Sequence, residues 1–205
     1  MKKGKKLHGN KETVVKVCNW LSLPLQALGC CILYLVIEAF SRHSLASAWS
    51  YMVESPWVFL YNAFLIFTTF MVVYLFRRRV LVRLIMSSFW LLLGIINGVI
   101  LANRVTPFTG PDLRNLSDGA KVVTKYLSKG TMILVVAALV ALLAFFVWVW
   151  IKGPKFQGKI RWYLNVPLIA LVIVLFIGAT NLALAKRVLS SYFVNIAFAY
   201  QDYGY

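Results

Sequence analysis

TMILVVAALVALLAFFVWVWI, residues 131–151, runs from end to end without a charged side chain. At a helical rise of about 1.5 Å per residue such a run reaches across about 30 Å, the thickness of a bilayer's hydrocarbon core. It reads as a transmembrane helix. Four further apolar runs of similar length occur at about 17–40, 57–76, 80–101 and 164–185. Strands are excluded for all five, because open sheet edges find no partners in lipid and the alternating pattern of a barrel is missing. The expected fold is therefore an all-α integral membrane bundle of five transmembrane helices.

Composition agrees: 61% of the 205 residues are hydrophobic and 15% aromatic, and the mean hydropathy is +0.78. The formal charge of +16 arises from 22 Lys and Arg against 6 Asp and Glu. These cations stand in short clusters between apolar runs, which is how membrane topology is written, and no basic face remains for nucleic acid. Residues 1–16 carry Lys2, Lys3, Lys5, Lys6, Lys11 and Lys16 and form a basic arm. With Arg77, Arg78, Arg79, Arg83 and the turn Lys152, Lys155, Lys159, Arg161, fourteen cations fall on one side against eight on the other. The positive-inside rule then makes the N-terminus cytoplasmic and the C-terminus extracellular in a cell membrane. The run at 17–40 is too long for a signal-peptide core and lacks a small-residue cleavage site after it. Trp20, Trp57, Trp148, Trp150, Trp162 and Tyr163 mark predicted span ends, the depth that amphipathic rings favour.

The three cysteines form no disulfide framework: Cys30 and Cys31 read as packing residues, and Cys18, near the membrane edge, is in a position for acylation. Gly94, Asn97 and Gly98 make a GxxxG surface with an amide inside it, suited to close helix packing within the bundle or across a dimer. Asn62 and Asn181 read as interhelical hydrogen-bonding points. Glu38 and Arg42 are spaced i,i+4; a carboxylate at that depth is a functional candidate, and both residues are lipid-headgroup candidates beside their simpler reading as an interfacial ion pair.

The outer loop, 102–129, carries its own order. Thr109, Pro111 and Asp112 form a helix start, and Leu113, Leu116, Ala120, Val123 and Leu127 follow at three- and four-residue steps. An amphipathic helix is expected there, either on the membrane surface or solvated, and a second one after the fifth span, from Val188 to Tyr200. The alternative for that second segment is a straight extension of the fifth helix. Arg104, at the depth of lipid phosphates, is suited to pair with a headgroup or to anchor the helix end by snorkelling. Thr106 and Asp112 are headgroup candidates beside it. They do not read as nucleophile and base, since no histidine, lysine or metal cluster accompanies them.

"IEAFSRHSL" at 37–45, "LFRRR" at 75–79, "NRVTPFTGPDL" at 103–113 and "KVVTKYLS" at 121–128 together resemble the membrane portion of lipoteichoic acid synthase-like phosphoglycerol transferases. The resemblance covers nearly all of the chain. It implies a polytopic anchor for an extracellular domain of the alkaline-phosphatase/sulfatase type. In that family this domain holds a threonine nucleophile and a manganese site, and moves glycerol phosphate from phosphatidylglycerol to a growing cell-envelope polymer. The sequence stops at Tyr205, where that domain would begin, so no catalytic residue, metal ligand or cofactor is assigned. The expectation is an anchoring domain with residues 186–205 as an extracellular linker, truncated or separately encoded, whose partners are membrane lipids such as phosphatidylglycerol and a catalytic domain or partner subunit. The competing expectation is a small lipid-handling or transport subunit acting through Glu38, Asn62 and Asn97.

Overall fold

The computed structural model describes residues 22–102, 129–154, 156, 160–189 and 204. Arg104, Thr106, Asp112, the helix expected from Thr109, Cys18 and the arm at 1–16 lie outside them, as does the stretch 190–203. The described chain runs α1 (Ser22–Ser41), α2 (Leu45–Glu54), α3 (Pro56–Phe70) continued by a 3-10 helix (Met71–Leu75), α4 (Arg79–Leu101), α5 (Lys129–Lys152) and α6 (Trp162–Ala185). No strand occurs among the described residues. Four stretches, α1, α3 with its 3-10 tail, α4 and α6, are long and apolar enough to cross a membrane. The fourth apolar run is helical throughout as the 24-residue α5. The described residues are all-helical, with several helices of the length and apolarity of a membrane-embedded protein.

Two features depart from the expected outline. The link between the first two runs contains α2, set up by Ser44, whose backbone is extended and whose side-chain oxygen accepts the Ser47 amide, an N-cap of the usual kind. The second span tightens to a 3-10 helix after Phe70. Just before this, Thr68 and Thr69 turn their hydroxyls back onto the carbonyls of Phe64 and Ile66, at 2.8 and 2.6 Å, a bond that competes with regular helix geometry.

The centre of the bundle is α1 against α3 and α4. Cys30, Leu33, Tyr34 and Ile37 of α1 pack with Phe59, Ala63, Ile66 and Phe70 of α3 in one buried cluster. On α4, Gly94 and Gly98 allow α1 to approach closely. A Cβ at Gly94 would stand 3.0 Å from the Ile37 side chain, and one at Gly98 would stand 2.7 Å from the Phe40 carbonyl oxygen. Between them Asn97 donates from Nδ2 to Ser41 Oγ at 3.0 Å. Without a hydrophobic driving force between helices in lipid, such small-residue contacts and hydrogen bonds carry the association. The packing face of Gly94, Asn97 and Gly98 thus lies inside one chain.

α6 packs on α3 through Tyr61, which bonds to Thr180 at 3.1 Å and stacks on Phe176. Asn181, expected as an interhelical point, is exposed, and its neighbour Thr180 makes the cross-helix bond instead. α5 contacts α4. At the α1 N-terminal end the cations are caged by rings: Arg78 lies over Trp150, and Arg79 over Phe156 and Tyr74. Arg83 bonds to Ser22 and Gln26.

Gly98→Ala, which strikes backbone, is expected to cost more stability than Gly94→Ala, which meets a side chain. The Gly98 loss should fall in the range of about 1–3 kcal/mol typical of overpacking, read by unfolding in detergent.

Candidate functional site

The end of the bundle opposite the arginine cage gathers the C-termini of α1, α4 and α6 with α2 and the start of α3. Two of these helices stop in the same way. After α1 the Ser44 amide bonds to the Ala39 carbonyl and the His43 amide to that of Phe40. After α6 the Val188 amide bonds to Ala183 and the Arg187 amide to Leu184. This is the Schellman pattern, with His43 and Arg187 in the left-handed region at φ 54° and 57°; such a stop satisfies the last carbonyls and turns the chain away from the helix axis. α6 therefore does not continue straight into the segment after it.

Within this end lies a polar cluster centred on Glu38, whose side chain has no exposed surface. Tyr34, one turn earlier on α1, donates its hydroxyl to Glu38 Oε1 at 2.6 Å. Arg42, one turn later, donates from Nε to Oε2 at 2.8 Å. Asn62 of α3 donates to the Tyr34 oxygen at 2.8 Å, which ties the second span to the first. The Arg42 guanidinium lies 4.2 Å from the centre of the Tyr51 ring of α2. Burying a carboxylate in an apolar bundle is costly unless charge and hydrogen bonds compensate it. Here Tyr34 and Arg42 supply that compensation, and Asn62 and Tyr51 contact those two from α3 and α2.

The start of α3 separates two recesses. On one side a polar cleft of about 450 Å³ is lined by Arg42, Ser47, Ser50, Tyr51, Glu54 and Ser55. On the other, an apolar groove of about 700 Å³ runs between α3 and α6, within the roughly 300–1,000 Å³ of ligand sites. Trp57, Leu60, Tyr61 and Phe64 form one wall, and Ala179, Leu182 and Ala183 the other, with Lys186 and Val188 also lining it. The small Ala179 and Ala183, one turn apart, make the recess. α2 adds Leu45, Trp49 and Val53 as an exposed stripe at four-residue steps, while Ala48 and Tyr51 on its other side are buried. Such a two-faced helix suits the boundary between headgroups and acyl chains.

Glu38 and Arg42, expected as a pair, are thus joined, with Gly94, Asn97 and Gly98 packed at the same end of α1. Sequence reasoning missed Tyr34 and Tyr51. Tyr34 has the same i,i+4 relation to Glu38 that Arg42 has, which was a readable signal. Tyr51 is joined to them only by the fold. Comparison with known protein families, curated proteins and solved structures finds no match.

Removing Arg42 while Glu38 stays buried is expected to cost about 3–5 kcal/mol in Arg42→Ala, and adding Glu38→Gln should recover most of it, in detergent unfolding titrations. Burial pushes the Tyr51 phenol up to about 12, and the Glu38 carboxylate acts in the same direction while Arg42 opposes it. An unfolded tyrosine loses its proton near 10. The folded value is the higher one, so this stabilisation is present below pH about 10 and is lost as pH rises to about 12. Tyr51→Phe should flatten the alkaline limb of the stability curve in that window.

Proposed function

We propose that this chain is a multi-pass membrane-anchoring domain that holds and presents a lipid at the end of the bundle carrying Glu38 and Lys186. The observation that carries this reading is the apolar groove between α3 and α6, with a lysine among its lining residues. A recess of that shape fits an acyl chain, and a lysine at the membrane boundary favours an anionic headgroup. The polar cleft on the other side of the α3 start, with its serines and Arg42, adds hydrogen-bonding groups at the same level.

In accord with the motifs that resemble lipoteichoic acid synthase-like phosphoglycerol transferases, the domain serves as the membrane portion of such an enzyme in cell-envelope polymer synthesis. Its lipid is then an anionic glycerophospholipid such as phosphatidylglycerol, and its partner an extracellular catalytic domain. Glycerol phosphate transfer, with its threonine and its metal, belongs to that partner. The distribution of Lys and Arg supports a cytoplasmic N-terminus and a C-terminus outside. A transport subunit working through Glu38, Asn62 and Asn97 is less well supported, because each of these side chains is engaged in helix-to-helix or within-helix bonds.

The protein purified in detergent is expected to retain an anionic phospholipid visible by native mass spectrometry. Ala183→Trp, which fills the groove, should abolish retention. Lys186→Ala should lower the preference for phosphatidylglycerol over phosphatidylcholine by about fivefold, the equivalent of the ~1 kcal/mol a basic residue contributes at an anionic surface. Equal retention by wild type and Ala183→Trp would remove the basis of the reading.

A further inference from the structure

The polar cluster has one more neighbour, and it comes from the far end of the sequence. Gly204 adopts a φ of 91°, a conformation open to glycine and strained for other residues. It sits against the buried carboxylate: a Cβ built on it would strike the Tyr34 hydroxyl, lie 2.8 Å from the Tyr51 hydroxyl and lie 2.9 Å from Glu38 Oε1. Backbone conformation and space both require a residue without a side chain at this point. The Tyr51 hydroxyl is buried at this point.

Two observations from the other end of the same segment agree. The Schellman stop at Arg187 turns the chain away from the α6 axis. The first residues after it, Val188 and Leu189, pack against the buried cluster that contains Tyr34, Tyr51 and Phe59. Val188, Leu189 and Gly204 thus all stand against the first three helices.

We propose that Tyr34, Glu38 and Tyr51 form a receptor for the chain's own C-terminal segment, with Gly204 as the residue that seats in it. The Glu38 cluster then does more than join helices: it fastens Gly204 to α1 and α2. The lipid groove shares Val188 with this segment, but none of Tyr34, Glu38, Tyr51 and Gly204 lines it, so the seat does not rest on the lipid reading.

Hydrogen exchange of the full chain in detergent, followed by mass spectrometry, tests it. In the wild type, peptides containing Gly204 should be protected. Gly204→Val should raise their exchange about tenfold or more while the amides of α1, α3 and α4 keep their rates. Tyr51→Trp, which enlarges the opposite wall, should release the same peptides, and this variant suffices by itself if Gly204→Val does not fold. Wild-type peptides exchanging at the rate of an unstructured chain, or unchanged protection in the variants, would overturn the proposal.

Discussion

The buried carboxylate of Glu38 is the constraint on which this end of the protein depends. An acid without exposed surface in an apolar bundle is tolerated only when its oxygens are engaged and its charge is balanced. Tyr34 and Arg42, one turn to either side on α1, engage both oxygens. Asn62 reaches the tyrosine from α3, and Tyr51 of α2 lies under the guanidinium. The orientation of α1, the docking of α2 and the register between α1 and α3 are therefore specified by one polar contact set. Apolar packing alone specifies such registers weakly in lipid, where helix surfaces and acyl chains are alike.

The two ends of the bundle solve the problem of charge differently. At the arginine end, Arg78 and Arg79 lie over aromatic faces contributed by α5, the segment after it and the 3-10 helix. Rings of this kind accept a guanidinium without needing a counter-charge. At the Glu38 end the charge is paired, and helices stop at left-handed residues that turn the chain aside. One end is a ring of cations suited to a fixed position in the boundary layer. The other offers recesses and a two-faced helix, which is where a bound molecule has room.

The apolar spans were legible because about 20 uninterrupted hydrophobic residues leave few alternatives in lipid or out of it. Glu38 with Arg42 was legible from spacing, and so was the small-residue face of α4. Tyr34 went unread because a tyrosine in a span is ordinarily a boundary residue, although its distance from Glu38 was the same as that of Arg42. The ten residues of α2 went unread because a short Ala- and Ser-containing segment between spans looks like a plain link; only the Ser44 cap announced it. The bond from Asn62 to Tyr34 and the seat of Gly204 join residues far apart in the chain, and no local pattern encodes them. The 3-10 turn at Met71–Leu75 follows Thr68 and Thr69, which bond backward, and Trp90 of α4 donates to Thr69 at 3.0 Å, a contact that no local pattern encodes.

That 3-10 turn has a consequence for the bilayer. A 3-10 helix rises about 2.0 Å per residue against about 1.5 Å in an α-helix, so α3 with its tail reaches about 32 Å where 20 α-helical residues would reach about 30 Å. The neighbouring α4, with 23 residues, extends to about 34 Å by the same rule. The tightened tail thus narrows the difference in hydrophobic length between two adjacent spans. Unequal spans are accommodated by tilting or by deforming the surrounding lipid.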